Sequence, residues 1–117
     1  MPNHRIEKIN TEILRELSEL LREVKDPRIQ NADVVSITKV DTTPDLAQSK
    51  VYISVLGSED SKKAVLKGLT SAEGFLRTGI AHKLDLHATP KLIFVLDTSS
   101  EYASHIEKVI QDIHKKD

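Results

Sequence analysis

A long amphipathic stretch at the amino terminus constrains the fold more than any other feature of the sequence. From Ile6 to Val24, apolar residues recur at intervals of three and four, which is the spacing of one face of an α-helix. The helix is expected to end at Asp26-Pro27, because the residue before a proline is pushed out of the helical region. Such a stripe must be buried, so the rest of the chain has to supply an apolar surface for it.

The outer face of this helix carries charges of alternating sign. That pattern is typical of a solvated, ion-paired surface rather than of a binding site. The residues concerned are Lys8, Glu12, Arg15, Glu19 and Arg22.

Two strands joined by a turn are predicted next. Residues 34–41 and 50–56 are rich in Val, Ile, Thr and Ser, which favour extended chain. Between them, Thr43-Pro44-Asp45 has the composition of a turn, because proline fixes its own backbone angle and aspartate tolerates the position that follows. The simplest arrangement is an antiparallel hairpin.

A pair of helices follows the hairpin. Ser58-Glu59-Asp60-Ser61 opens the first helix, and Thr70 with Glu73 forms a capping-box pattern that would start the second. We therefore expect two helices, or one sharply kinked helix, meeting at residues 72–74. The residues predicted to face inward are Val65, Leu66 and Leu69 in the first helix and Leu76, Ile80 and Leu84 in the second.

The last part of the chain predicts a third strand and a final helix. Residues 92–96 are continuously apolar, which indicates a strand buried on both faces. Thr98 and Glu101 form another capping-box pattern. It precedes a helical stripe of Tyr102, Ile106, Val109, Ile110 and Ile113. The order α-β-β-α-α-β-α predicts a two-layer α+β domain, in which helices cover a three-stranded sheet.

Composition excludes several classes of protein. The 117 residues include no cysteine, so disulfides, thiolate nucleophiles and cysteine-based zinc sites are absent, as is common in a reducing cytoplasm. The longest unbroken apolar run, residues 92–96, is far shorter than the roughly 20 residues of a membrane-spanning helix. We therefore expect one soluble cytoplasmic domain that does not bind membranes.

Basic residues are concentrated in the helix pair and its flanks. Six lysines and arginines and two acidic residues lie between residues 61 and 91, although the whole chain has a net charge of −1. A local basic segment on an acidic body can steer RNA to one face of a protein. Chance segregation of charge is the alternative.

The spacing of these residues suggests how RNA would bind. Lys63 and Lys67 share one helical face, and Ser71 and Gly74 continue that face into the predicted kink. Arg77 follows one turn later. The start of the second helix would also present backbone N–H groups to a phosphate. The alternative is a lysine face that serves only solubility, next to an ordinary helix turn.

The residue patterns do not predict a metal site or an enzyme. His82 and His87 are five residues apart, and His105 and His114 are nine apart, whereas two ligands on one helical face need a spacing of four. Turn and cap roles account for the strand-end carboxylates Asp41, Asp45 and Asp97. No phosphate-binding loop or nucleophile elbow is present, so we expect no cofactor and no catalysis.

Short motifs along the chain carry a family resemblance. Ala72-Glu73-Gly74 stands where KH domains usually have Gly-x-x-Gly at the junction of two helices. The other motifs are Arg5-x-x-Lys8-Ile9 with Ile13, Lys25-Asp26-Pro27-Arg28, Asp45-Leu46 followed by Lys50-Val51-Tyr52-Ile53-Ser54, Gly74-Phe75-Leu76-Arg77, and Pro90-x-Leu92-x-Phe94 with Asp97-x-Ser99. In this order and spacing they resemble the ribosome-binding factor A family, which implies that residues 1–117 form a single type II KH-like domain. Where that family often has Leu-Arg-x-x-Pro, this chain has His87 in place of the arginine.

The resemblance implies a function. It implies a monomeric assembly factor that binds small-subunit rRNA on the immature small ribosomal subunit, supports processing of the rRNA 5′ end, and takes part in growth at low temperature. Phe94 and Tyr102 are expected in the core, so the RNA would be read by its backbone and shape. The expected RNA-binding residues are Lys63, Lys67, Ser71, Ala72, Gly74, Arg77, Lys83 and His87. Two alternatives are a protein-interaction module whose basic helix pair docks an acidic partner, and a small nuclease.

Overall fold

The computed structural model of the chain describes residues 4–32, 34–84 and 88–98. Within these ranges the elements are α1 (His4–Leu20), a 3-10 turn (Leu21–Glu23), α2 (Pro27–Gln30), β1 (Val34–Thr42), β2 (Gln48–Leu56), α3 (Glu59–Ser71), α4 (Glu73–Lys83) and β3 (Lys91–Leu96). This confirms the predicted α+β class with a three-stranded sheet. The predicted last helix lies outside the described residues. In the described ranges, no helix has both the length and the apolar character needed to cross a membrane.

The first helix buries the predicted face. Ile9, Ile13, Leu17 and Leu20 are buried, and α1 packs against β1. The predicted ion pairs are missing, since no two of the five charged residues on its outer face pair with each other among the described residues. Exposed pairs of this kind gain little energy, so these side chains remain solvated.

The short helix α2 was not predicted. Asp26 is its N-cap and accepts the backbone N–H of Arg28 at 2.9 Å, while Pro27 occupies the first helical position. Ile29 is its buried residue. A single turn is too short to produce a helical period in the sequence, so Pro27 was interpreted only as the end of α1.

The sheet has the strand order β1-β2-β3. β1 and β2 form the predicted antiparallel hairpin, with Val40 opposite Val51, and β3 pairs with β2 in parallel. The register shifts at a β-bulge between Ile37 and Lys39. Helices cover the face that carries Val40 and Val51, whereas Lys39 and Lys50 lie on the opposite face and are exposed.

The third strand is less buried than predicted. Leu92 is buried, but residues 93–96 are only half-buried. β3 is an edge strand of the sheet, and among the described residues α3 and α4 pack against it. The expectation of burial on both faces was therefore wrong, because a continuous apolar run does not reveal how many faces are covered.

Asp45 has the predicted turn role and Asp97 bonds across the sheet, whereas Asp41 accepts no hydrogen bond from a described residue. The Thr43 hydroxyl donates to Asp45 Oδ1 at 2.7 Å and the N–H of Ala47 donates to the same oxygen at 3.1 Å. These hydrogen bonds hold the pKa of Asp45 below its usual value. Asp97 accepts a hydrogen bond of 2.6 Å from the Thr38 hydroxyl. Both carboxylates therefore hold connections between strands.

The helix pair has the predicted inner face with one addition. Val65, Leu69, Leu76 and Ile80 are buried, while Leu66 and Leu84 are half-buried. Lys62 is also buried, and its Nζ lies 3.6 Å from Glu59 Oε1. The Ser58 hydroxyl caps α3 by accepting the N–H of Ser61 at 3.1 Å.

Candidate nucleic-acid interface

The two helices of the pair meet at one residue. α3 ends at Ser71, α4 begins at Glu73, and Ala72 between them has φ −88° and ψ 1°. The N–H of Ala72 donates to the carbonyls of Gly68 and Leu69 at 3.0 and 3.1 Å. The chain therefore changes direction at the predicted position without opening a loop.

The predicted capping box does not form. Thr70 lies inside α3, and no side chain caps the start of α4. Instead, Glu73 Oε1 accepts the backbone N–H of Leu92 at 3.1 Å. A threonine followed three residues later by a glutamate fits a helix start but also occurs within a helix. Here the hydrogen bond of the glutamate joins α4 to β3.

Lys63 and Lys67 occupy the exposed side of α3. Their spacing of four places them on one helical face with Ser71, which is also exposed. Neither lysine forms an ion pair or a hydrogen bond with another described residue. We call Lys63, Lys67, Ser71, Ala72 and Gly74 the helix-pair surface. It brings together five of the eight predicted site residues.

Gly74 differs from the other two glycines of the helix pair. A Cβ atom at Gly68 would lie 3.1 Å from Ile29 Cγ1, and one at Gly79 would lie 2.7 Å from Leu20 Cδ1. A Cβ at Gly74 would meet no atom of a described residue within 4 Å. No described helix therefore packs closely against Gly74, and its backbone is open to a ligand on the described side.

Arg77 and Lys83 are the other predicted site residues that the structure describes. Arg77 is exposed, but its Nη2 donates to the carbonyl of Thr89 at 2.9 Å, which ties the side chain to the segment before β3. Lys83 is exposed in the last turn of α4. It therefore lies at the end of α4 that is away from the junction with α3. His87 lies outside the described residues.

The structure adds residues that were not predicted for the site. The segment Lys25-Asp26-Pro27-Arg28 forms a cleft with Ser71 and Ala72. Arg28 Nη2 donates to the Ser71 hydroxyl at 3.3 Å, although 43 positions separate the two residues. This segment is one of the family motifs, but no local pattern could place it beside the kink.

Arg28 and Asp26 form a close ion pair in this cleft. Arg28 Nη2 lies 2.6 Å from Asp26 Oδ2, and Arg28 Nε donates to Asp26 Oδ1 at 3.0 Å. Hydrogen bonds from the side chain and the backbone of Arg28 lower the pKa of Asp26. Asp26 therefore remains a carboxylate and holds the guanidinium in a fixed orientation.

Aromatic rings near the kink are few. Phe75 is half exposed next to Gly74, whereas Phe94 packs against the core, as expected. In the ranges that the structure describes, no three His, Cys, Asp or Glu side chains are grouped so that they could hold a metal ion.

Comparison with known proteins gives consistent matches. A family model described as ribosome-binding factor A matches residues 5–110. The ribosome-binding factor A of Lachnospira eligens is 44% identical over 111 residues, which cover 94% of this chain and 84% of that protein.

Solved structures share the fold. The solution structure of a Thermotoga maritima protein matches with a TM-score of 0.72 and 34% identity, covering 81% of this chain and 89% of that one. A homology model of the ribosome binding factor A of Thermus thermophilus, fitted into an electron-microscopy map of a complex of the factor with the 30S subunit, matches with a TM-score of 0.63. It covers 77% of this chain and 92% of that one at 23% identity, so this likeness concerns the fold alone.

Proposed function

The chain belongs to the ribosome-binding factor A family, and on this basis we propose that it is an assembly factor that binds small-subunit rRNA through the helix-pair surface. The observation that carries the proposal is the pair Lys63 and Lys67, which is exposed and unpaired among the described residues beside the kink. The 44% identity to the ribosome-binding factor A of Lachnospira eligens supports a ribosomal partner, and the family member from Thermus thermophilus is the one fitted into a map of a 30S complex.

The chemistry of the surface fits the sugar-phosphate backbone better than base edges. Two ammonium groups on one helical face can contact phosphates and release condensed counterions, and such contacts carry no sequence information. The open space around Gly74 leaves room for a phosphate or ribose to approach the backbone of the helix pair. Recognition is therefore expected to depend on RNA shape and charge.

The family resemblance also supports more specific roles. We propose that the protein supports maturation of the 5′ end of the small-subunit rRNA and growth in the cold, and that it acts as a cytoplasmic monomer. In a deletion strain, small subunits with unprocessed 5′ ends should accumulate at low temperature. Normal subunit profiles in the cold would contradict this part of the proposal.

Binding without catalysis is part of the proposal. Asp45 and Asp97 are engaged in hydrogen bonds that hold the sheet connections, and His82 is exposed and outside the helix-pair surface. The purified protein should neither cleave precursor rRNA nor hydrolyse nucleotides. Cleavage that follows the protein through every purification step would contradict this expectation.

Co-sedimentation tests the central proposal. The purified protein should sediment with isolated small subunits, and its affinity should fall steeply as salt is raised. Binding to protein-free small-subunit rRNA should show the same salt dependence. Binding to subunits without binding to rRNA would favour the alternative, a module that docks an acidic protein.

A further inference from the structure

The cleft beside the kink contains hydrogen-bond donors that the fold does not use. Arg28 Nε donates a hydrogen bond to Asp26, and Arg28 Nη2 donates to Asp26 and to Ser71. Its Nη1 group forms no hydrogen bond with any described residue, and the same is true of the Lys25 ammonium group. The side chain of Arg28 is 40% exposed, so its free donors reach solvent.

The fold holds Arg28 in place from two sides. Asp26 binds one edge of the guanidinium with two hydrogen bonds, and Ser71 contacts it from the helix pair. Ile29, the next residue, is buried, and its side chain lies next to Gly68 of α3. The guanidinium is therefore pre-organised at the boundary of the helix-pair surface, which lowers the entropy cost of binding a ligand there.

The charge and the size of the cleft indicate the type of ligand. Asp26 offsets the charge of Arg28, and Lys25 leaves the segment with a net positive charge. The cleft has a volume of about 670 Å³ and is wide open to solvent, so it fits an extended backbone better than an enclosed small ligand. Its lining includes Ser71 and Ala72, so a nucleic-acid backbone that follows α3 would pass directly over it.

We propose that this cleft binds a phosphate of the same RNA strand that contacts Lys63 and Lys67, with Arg28 Nη1 and Lys25 Nζ as the donors. The inference rests on the proposed function, since it extends the helix-pair surface by a second contact from the segment after α1. Asp26 is a positioning residue in this arrangement, because it contacts the guanidinium and not the phosphate.

Two substitutions test the two donors separately in the full chain, with protein-free small-subunit rRNA as the probe. Lys25→Ala removes an exposed charge and should reduce the slope of log affinity against log salt by about 0.7–0.9. Arg28→Lys keeps the charge but loses the planar fork. It should leave the slope unchanged and weaken binding about tenfold, as expected for one charge-assisted hydrogen bond.

Lys50→Ala is the matched control. Lys50 is exposed on the sheet face opposite the helices, so its removal changes the net charge equally without altering the cleft. It should leave both slope and affinity close to those of the unaltered protein. An equal effect of Lys50→Ala and Lys25→Ala would overturn the proposal, because the cleft would then act only through net charge.

The outcomes separate this inference from the proposed function. If the unaltered protein has no salt-dependent affinity for rRNA, the proposed function fails. If Lys63→Ala with Lys67→Ala weakens binding while Lys25→Ala and Arg28→Lys do not, the function stands and the cleft is not a contact. If the cleft substitutions weaken binding to whole subunits but not to rRNA, the ligand of the cleft is a protein and the inference is wrong. Lys25→Ala decides the matter should Arg28→Lys also lower the melting temperature.

Discussion

Lys62 and Lys63 are neighbours in sequence, but Lys62 faces the packed side of α3 and Lys63 faces the exposed side. Lys62 is buried and paired with Glu59, whereas Lys63 is exposed and without a partner among the described residues. The glycines differ in the same way, because Gly79 packs under Leu20 while Gly74 faces open space. The packed side of the helix pair is therefore specified by the protein's own contacts. The protein's own contacts do not explain why the exposed side carries unpaired lysines. We therefore assign RNA binding to the exposed side.

The largest expected effect concerns the lysines of the exposed side. Lys63→Ala with Lys67→Ala should reduce the slope of log affinity against log salt by about 1.4–1.8, since each phosphate contact contributes about 0.7–0.9. The free energy of unfolding should change by no more than about 0.5 kcal/mol, as is usual for exposed positions. Adding Arg77→Ala should have a smaller effect, because Arg77 already donates to the carbonyl of Thr89. Binding titrations at several salt concentrations provide the measurement.

Two controls define the location of this effect. Lys62→Met removes a charge from the packed side of the same helix. Arg15→Ala with Arg22→Ala removes one charge from the outer face of α1 and one from the turn that follows it. Neither change should alter the salt slope appreciably. If the α1 substitutions carry the salt dependence and the lysine pair carries none, the RNA-binding face has been assigned to the wrong helix.

The glycines provide the second test of the comparison. Gly79→Val should destabilise the protein by about 1–3 kcal/mol, because the added carbons overlap Leu20 in a packed interface. Gly74→Val places its side chain in open space, so it should weaken rRNA binding more than it lowers the melting temperature. Thermal unfolding and rRNA titration of both variants separate the two roles. A drop of several degrees for Gly74→Val with unchanged binding would mean that this glycine serves the fold alone.

A smaller effect is expected from a substitution of Asp45 in the turn between β1 and β2. Hydrogen bonds within this turn stabilise the hairpin. The pKa of Asp45 is lowered in the folded state by the Thr43 hydroxyl and the Ala47 N–H. Its contribution to stability is therefore present above the unfolded pKa, near 4, and is lost as pH falls through the folded pKa. When the pH is lowered from 5, the Asp45→Asn variant should lose less free energy of unfolding than the unaltered protein. Urea unfolding at a series of pH values provides the measurement. Asp41→Asn is a suitable control, because Asp41 accepts no hydrogen bond from a described residue.

The smallest effect is expected at Phe75, the exposed ring beside Gly74. If the interface reads the RNA backbone, Phe75→Leu should change affinity by no more than about twofold, because no base stacks on the ring. Stacking would contribute about 1–3 kcal/mol per base, and its loss would weaken binding roughly fivefold or more. Fluorescence titration with protein-free rRNA can distinguish these results.

The elements that could be predicted are those whose period extends over several turns or a full strand. Three- and four-residue spacing placed α1, and alternation in Val51, Ile53 and Val55 placed β2. The one-turn helix at Pro27 was missed because it is shorter than any period. The capping pattern at Thr70 was misinterpreted because a local pattern does not show that the N–H of Ala72 is already bonded within the helix.

The candidate site was only half predictable, for a related reason. Lys63, Lys67 and Ser71 lie on one helix, so their spacing alone places them on one face. Arg28 reaches Ser71 from 43 positions away, and only the packing of α2 on α3 brings them together. The parallel pairing of β3 with β2 was not predicted for the same reason, because it depends on where α3 and α4 bring the chain back to the sheet.

The bulge between Ile37 and Lys39 also affects self-association. β1 is an edge strand, and Val34 at its start is 50% exposed, so a strand from a second molecule could begin to pair there. The ladder would lose its register within four residues, at Thr38, where the bulge twists the strand. As far as the described residues show, the β1 edge is therefore a poor template for fibril growth.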